Sequence, residues 1–183
     1  MRVLIVLLLA AFLAPAALAR EFIAGETDFQ CLTRWSTVPG HKTRIFNRNP
    51  RLLRHALKVL EKSKPGRRYP LGTIVELVPP VHVGTLVFFG EAMVKRGGRF
   101  NRDGNGWEFF VLDDRVDGST EIVRRGGPEV VNLGPPCQTC HGAAKRFDLV
   151  CDVAHGCAPL PLKLDAPTIL SLQTHDVRCA VVP

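Results

Sequence analysis

The clearest hydrophobic periodicity in this 183-residue chain lies between Asn49 and Gly66. Apolar residues recur there every three or four positions, which is the spacing of an amphipathic helix. Asn49 suits the capping position, Pro50 suits the first turn, and Pro65-Gly66 ends the pattern. The pattern therefore predicts a helix from Pro50 to about Ser63. Its apolar positions are Leu52, Leu53, Ala56, Leu57 and Leu60.

Short apolar and β-branched runs follow, separated by turns rich in Gly, Asn and Asp such as "RGGRFNRDGNG" and "LDDRVDGST". This pattern is typical of an antiparallel meander. Helical patterns return in "CHGAAKRFDLV" and at Ala166–Gln173. The predicted fold class is α+β, a mainly antiparallel β-sheet with an N-terminal helix and a short helix near the C-terminus. The expected strands are Gly72–Val78, Val83–Phe89, Glu91–Lys95, Trp107–Leu112 and Glu121–Arg124.

The amino terminus has the pattern of a signal peptide. Met1 and Arg2 precede an apolar run, and Ala17-Leu18-Ala19 offers the small-x-small pattern of a cleavage site. Residues 1–19 are therefore predicted to be removed, which gives an exported mature chain of residues 20–183 that does not span a membrane. The periplasm is the expected location. We expect a single domain, with residues 151–183 as a cysteine-containing C-terminal extension.

The chain has a formal net charge of +7. Its basic residues are spread along the sequence with acidic residues between them, which is typical of a solvated surface rather than of a nucleic-acid footprint. A nucleic-acid partner is therefore not expected. A basic rim would instead steer an acidic protein partner or an anionic ligand.

The strongest chemical motif is Cys137-Gln138-Thr139-Cys140-His141, which has the C-x-x-C-H spacing of c-type haem attachment. Two thiols at this spacing reach the two vinyl groups of one porphyrin, while the adjoining histidine reaches the iron. The motif predicts one covalent haem c, held by Cys137 and Cys140, with His141 as the axial iron ligand. The predicted export supports this interpretation because haem is attached to such motifs outside the cytoplasm.

Three alternative roles for these thiols stay open. A thioredoxin-like pair also uses C-x-x-C, but it opens a long helix in a βαβ unit, whereas a Gly-Pro-Pro loop precedes Cys137. A zinc site could draw on the motif cysteines together with Cys151 and either Cys157 or His155. The cysteines could also serve only as disulfides.

Haem attachment would leave four of the six cysteines, an even number that allows three pairings. Locality favours a disulfide between Cys151 and Cys157, which leaves Cys31 to join the amino-terminal segment to Cys179. Their predicted role is structural.

Several segments resemble the cytochrome P-460 and cytochrome c′-beta family between about His41 and Val150. They are "RYPLGTIVELV", "AMVKRGGRF", "GNGWEFFVLD" and "CQTCHGAAKRFDLV". The resemblance implies a periplasmic c-type cytochrome of mainly antiparallel β fold, often a homodimer, with histidine on one side of the iron and an open or water-bound position on the other. Some members oxidise hydroxylamine with a lysine cross-linked to the porphyrin, and c′-beta members bind gases such as nitric oxide.

The chain departs from the hydroxylamine-oxidising pattern. In that family the cross-linking lysine lies on the strand after the Pro-x-Gly-Thr turn, where this chain has Ile74-Val75-Glu76-Leu77-Val78. Lys95 belongs to another part of the pattern and is expected to be a surface or structural residue. Enzymatic activity, including hydroxylamine oxidation, is therefore left open.

The sixth iron ligand is not fixed by the sequence. An open or weakly filled site with an apolar wall is expected to bind a small gaseous or nitrogen-containing ligand, with Glu76 as a weak candidate for proton transfer. Strong ligation would instead give an electron-transfer cytochrome with a redox partner protein. A haem-free disulfide or thiol-redox module is the remaining alternative. The ligand candidates are Met93, His82, His155 and His175, and the wall candidates are Phe88, Phe89, Phe109 and Phe110.

Overall fold

The computed structural model describes residues 20–83, 86–115, 117–132, 134–152, 155, 157 and 166–179. A five-stranded antiparallel sheet has the strand order β1-β2-β5-β6-β7, and β3 and β4 form a separate hairpin. The predicted α+β class with a mainly antiparallel sheet is confirmed. The strands are β1 (Arg44–Phe46), β2 (Ile74–Glu76), β3 (Val81–Val83), β4 (Leu86–Phe88), β5 (Gly90–Lys95), β6 (Trp107–Asp114) and β7 (Thr120–Gly126).

The helix α1 runs from Pro50 to Lys62, as the periodicity predicts. Asn49 caps it by accepting hydrogen bonds from the backbone N–H groups of Arg51 and Leu52. Ser63 ends it in the left-handed conformation, at φ 41°. The other α-helices are α2 (Cys137–His141) and α3 (Ala166–Thr174), and short 3₁₀ helices cover Glu26–Asp28, Leu32–Arg34, Gly142–Phe147 and Val177–Cys179.

Both faces of the sheet are buried, as the alternation along β6 demonstrates. Trp107, Phe109 and Val111 point to one face, where they pack with α1 and the segment after α2. Phe110 and Leu112 point to the other face. We name these the first and second faces. The second face is covered by an amino-terminal layer that includes Phe29, Leu32 and Trp35.

The predicted strand Val83–Phe89 is shorter in the structure, because β4 covers only Leu86–Phe88, while Val83 ends β3, which pairs with β4 in antiparallel orientation. Strand β1 is absent from the strands that the sequence predicts. It has only three residues and is held by pairing with β2, where Ile45 lies opposite Val75. A strand this short carries too few alternating positions to be recognised before its partner is known.

The C-terminal extension packs on the rest of the chain in its described part. Gln173 of α3 donates hydrogen bonds to the backbone carbonyls of Lys42 and Leu77, and the Leu32 backbone N–H donates to Asp176. Residues 166–179 therefore belong to the folded body. The predicted signal peptide, residues 1–19, lies outside the described residues. Among those that the structure does describe, no helix is both long and apolar enough to cross a membrane.

Candidate functional site

The C-x-x-C-H motif forms the short helix α2, which starts directly after Pro135-Pro136. Residues three and four apart in a helix lie on one side, so Cys137, Cys140 and His141 are neighbours on α2. The backbone N–H of Cys137 donates to the carbonyl of Val130 at 2.8 Å, which fixes the start of the helix. Neither Cys137 nor Cys140 is in a disulfide. The structure therefore brings together the three residues that the sequence singles out.

The imidazole of His141 is oriented by the backbone. Its Nδ1 lies 2.8 Å from the carbonyl oxygen of Leu149, and because a carbonyl only accepts, Nδ1 must carry the hydrogen. Nε2 then holds the free lone pair in the neutral ring, as a metal-ligating histidine requires. Burial lowers the pKa of His141, although the Leu149 carbonyl and nearby Glu91 act in the opposite direction. The Phe109 ring lies 5.5 Å from the imidazole, between centroids.

Asp148 anchors the segment that carries the Leu149 carbonyl. It accepts hydrogen bonds from the Lys95 ammonium at 2.7 and 2.8 Å, from Arg68 at 2.9 Å and from the Tyr69 backbone N–H at 2.8 Å. Asp148 and Leu149 both have positive φ, at 57° and 66°, so these contacts hold an unusual backbone turn. The sequence gives no sign of this role for Asp148, since its partners are distant in the chain.

Lys95 is a buried structural residue. Its ammonium pairs with Asp148 and lies 5.0 Å from the centre of the Trp107 ring, which is a cation–π distance. Burial lowers the pKa of Lys95, while the charge of Asp148 raises it. The ammonium of this lysine is therefore engaged in the core.

The two motif thiols have different surroundings. Cys140 is exposed, whereas Cys137 is partly buried and packs against the core of the first face. Burial raises the pKa of Cys137 to about 11, and the negative charge of Glu91 acts in the same direction. Glu91, at the beginning of β5, influences both Cys137 and His141 electrostatically, and sequence reasoning did not identify it. This environment does not favour a redox-active thiolate of low pKa at Cys137.

The remaining four cysteines form the two pairs that locality favours. Cys31 is bonded to Cys179, and Cys151 to Cys157. The alternative zinc site built with Cys151 or Cys157 is therefore wrong, because disulfide sulfurs are not thiolate ligands. Cys137 and Cys140 are both unpaired, so a purely structural role as disulfides does not account for these two cysteines.

The candidates for the sixth iron position are scattered. Met93 is buried in the first-face core, opposite Phe109 in the strand pairing. The buried His155 stacks on Phe147, and its Nδ1 lies 2.6 Å from the Val150 carbonyl. The exposed His175 contacts the Ser171 carbonyl. His82 lies on β3 beside two aspartates.

Glu76 lies on the second face of the sheet, away from Phe109 and His141. It is fully buried and accepts a hydrogen bond from Arg178 at 2.9 Å. Burial raises its pKa to about 7, although the charge of Arg178 acts in the opposite direction. Glu76 therefore shares the second face with Phe110 and points away from Phe109 and His141, because neighbouring strand positions point to opposite faces.

The same alternation separates the aromatic wall candidates. Phe109 lies on the first face, with His141, whereas Phe110 lies on the second. Phe89 follows β4 and is 37% exposed. The side chain of Phe88 is outside the described part of the structure. Of the three wall candidates whose side chains the structure describes, Phe109 is the one that lies beside the motif.

We compared the chain with protein-family models, with curated proteins and with solved structures, and none of them matches it. The resemblance to the cytochrome P-460 and cytochrome c′-beta family therefore stays a prediction from the quoted segments.

Proposed function

We propose that this protein is an exported c-type cytochrome with one covalent haem c. Cys137 and Cys140 would hold the haem through thioether bonds, and His141 would ligate the iron. The observation that supports this most strongly is the hydrogen bond from His141 Nδ1 to the Leu149 carbonyl, in a helix whose two cysteines are unpaired. These features meet the chemical requirements of the motif: reduced thiols and a ring with Nε2 free to coordinate.

The surrounding residues would tune the bound group. Haem iron supplies ligand binding and one-electron redox chemistry. The Leu149 carbonyl makes His141 a stronger donor by accepting its Nδ1 hydrogen. Phe109 provides an apolar contact to the imidazole. The Asp148 ion pairs hold the carbonyl in place, so His141 is oriented by a fixed part of the core.

For the sixth position we propose an open or weakly occupied site that binds a small ligand such as nitric oxide or another nitrogen compound. All four candidate protein ligands already have other contacts, including His155, whose Nδ1 bonds the Val150 carbonyl. His82 pairs with aspartates, His175 bonds the Ser171 carbonyl, and Met93 is part of the core. A six-coordinate electron-transfer cytochrome with a redox partner is the alternative that spectra distinguish.

Hydroxylamine oxidation is disfavoured within this proposal. Strand β2, Ile74–Glu76, has no lysine. The Lys95 ammonium is bound by Asp148 in the core, so it is not free to form a cross-link. The resemblance also suggests a homodimer in the periplasm, which sedimentation and fractionation would test.

The decisive experiment is co-expression of the full chain with a haem-attachment system, followed by haem staining on a denaturing gel. The proposal expects stained protein at the size of the mature chain. Cys137→Ser with Cys140→Ser should abolish the stain, whereas the matched change His155→Ala should retain it. Colourless wild-type protein, under conditions that mature a control cytochrome, would refute the proposal and leave a thiol module.

Visible spectra of the stained protein test the sixth site. A high-spin ferrous spectrum that changes on mixing with nitric oxide is expected for an open site. Low-spin spectra in both oxidation states, with no change on mixing, would replace this part of the proposal by the electron-transfer alternative. His141→Ala is expected to lose the wild-type spectrum, and added imidazole should restore ligation.

A further inference from the structure

We propose that His82, Asp113 and Asp114 form a binding site for a divalent first-row transition-metal ion. The three residues offer one imidazole nitrogen and two carboxylate oxygens, all within 4.8 Å of one another. They lie on β3 and at the end of β6, outside the motif of α2. The proposal is independent of haem attachment, because the proposed haem site uses Cys137, Cys140 and His141 and leaves the sixth position open.

The fold places these residues together through a close contact of the β3–β4 hairpin with the sheet. Gly90 starts β5, and a Cβ at this position would lie 2.7 Å from the ring and the nitrogen of Pro80. Only glycine allows this approach of the backbones. Pro80 precedes β3, and Gly90 pairs with Leu112 just before the two aspartates. The short path from Pro80 to His82 therefore holds the imidazole near the end of β6.

The distances suit metal coordination. Nε2 of His82 lies 2.8 Å from Oδ1 of Asp113 and 2.9 Å from Oδ1 of Asp114. Adjacent ligands of an octahedral ion with bonds of about 2.1 Å are about 3.0 Å apart. A cation could therefore occupy the space bounded by the three atoms with only a small adjustment of the side chains.

An unpartnered oxygen supports a ligand at this position. The Asp114 side chain is 9% exposed, and apart from its ion-pair contact with His82 its Oδ1 is buried without a hydrogen-bond partner. The nearby Nε2 of His82 has at most one hydrogen to donate, and Asp113 Oδ1 lies in position to accept it. A buried carboxylate oxygen left unpaired is costly. A divalent cation would satisfy this oxygen and offset both carboxylate charges.

The ligand set indicates the class of metal. One imidazole and two carboxylates suit Zn²⁺ or Mn²⁺, whereas an all-oxygen set would favour Mg²⁺ or Ca²⁺. Three protein ligands leave at least one coordination position for water or a substrate oxygen. The His82 side chain is 44% exposed, so the site is accessible from solvent.

The test is calorimetric titration of the purified, chelator-treated protein with Zn²⁺, repeated with Mn²⁺. One ion per chain is expected. His82→Ala and Asp114→Asn should each weaken binding at least tenfold. The matched changes His55→Ala and Asp117→Asn, at exposed positions in α1 and in the β6–β7 turn, should leave affinity unchanged. If His82→Ala or Asp114→Asn fails to fold, Asp113→Asn provides a third variant, in which the new side chain keeps the shape of aspartate without its charge.

A crystal of the protein with Zn²⁺ provides the structural readout. An anomalous peak at about 2.1 Å from His82 Nε2 is expected. No binding of either ion below millimolar concentration would overturn the proposal. Binding that all three site variants retain would also overturn it, because the ion would then lie elsewhere.

Discussion

The ion pair between Lys95 and Asp148 allows the sharpest prediction about the framework of the site. Asp148 is fully buried and is the common acceptor for Lys95, Arg68 and the Tyr69 backbone. Replacing Asp148 by Ala would leave the Lys95 ammonium without its carboxylate, with a side chain only 9% exposed. Breaking a buried pair from one side in this way costs about 3 to 5 kcal/mol in the free energy of unfolding.

The expected size of the effect follows from the unpaired ammonium, so removing that charge should recover part of the loss. Lys95→Met keeps the length of the side chain without its charge, and it leaves Asp148 bound to Arg68 and Tyr69. We therefore expect Lys95→Met with Asp148→Ala to be more stable than the sum of the single changes implies, by about 1 to 3 kcal/mol.

Urea unfolding of the four proteins in this cycle is the assay, with Glu61→Ala as a control for loss of an exposed carboxylate. The control should change stability by less than about 0.5 kcal/mol. If the two single costs add to within about 0.5 kcal/mol in the double variant, the ion pair contributes no coupling energy. The argument that it anchors the Leu149 carbonyl would then be refuted.

Three further predictions concern the rest of the chain. Replacing both cysteines of the Cys31–Cys179 disulfide by Ser should lower the free energy of unfolding by about 5 kcal/mol, against about 2 kcal/mol for Cys151–Cys157. The reason is that a disulfide restricts the unfolded chain more when it closes a longer loop, and the sequence separations are 148 and 6. Equal losses in urea unfolding would contradict this argument. Glu76 has a folded pKa of about 7 and an ordinary value of 4.5. The stability that the protonated carboxyl contributes is therefore present below pH 4.5 and lost as the pH rises through 7. Between these values the free energy of unfolding of Glu76→Gln should rise by up to about 3 kcal/mol relative to that of the wild type. If urea unfolding gives the two proteins parallel curves of stability against pH, this prediction is contradicted. Intact mass of the exported protein should give Arg20 as its first residue, and a retained leader would contradict the predicted cleavage.

Local sequence information predicts much of the fold. The helix α1 carries its own cap, periodicity and terminator, so its bounds follow from a single segment. The central strands β5 and β6 are long enough for their apolar character to be evident. The two disulfides follow from counting and proximity in sequence once the motif cysteines are set aside.

The environment of the motif could not be predicted in the same way. Asp148 meets Lys95 and Arg68 across separations of 53 and 80 residues, and no local pattern encodes such contacts. Glu76 illustrates the same difficulty. Its place on a strand is predicted, but the face to which it points depends on register, and a shift by one residue reverses the face. Its partner Arg178 lies 102 residues away.

The two faces of the sheet carry different parts of the structure. On the first face, the core supports α2, Asp148 and the carbonyl that orients His141. On the second face, Arg178 joins Glu76 of the sheet to the Phe29 carbonyl of the amino-terminal layer. Residues 166–179 of the C-terminal extension are therefore bound to the face opposite His141. Their ion pairs and their disulfide to Cys31 stabilise the sheet that positions Phe109 and Lys95, and they act on the motif through that sheet rather than by contact with Glu76.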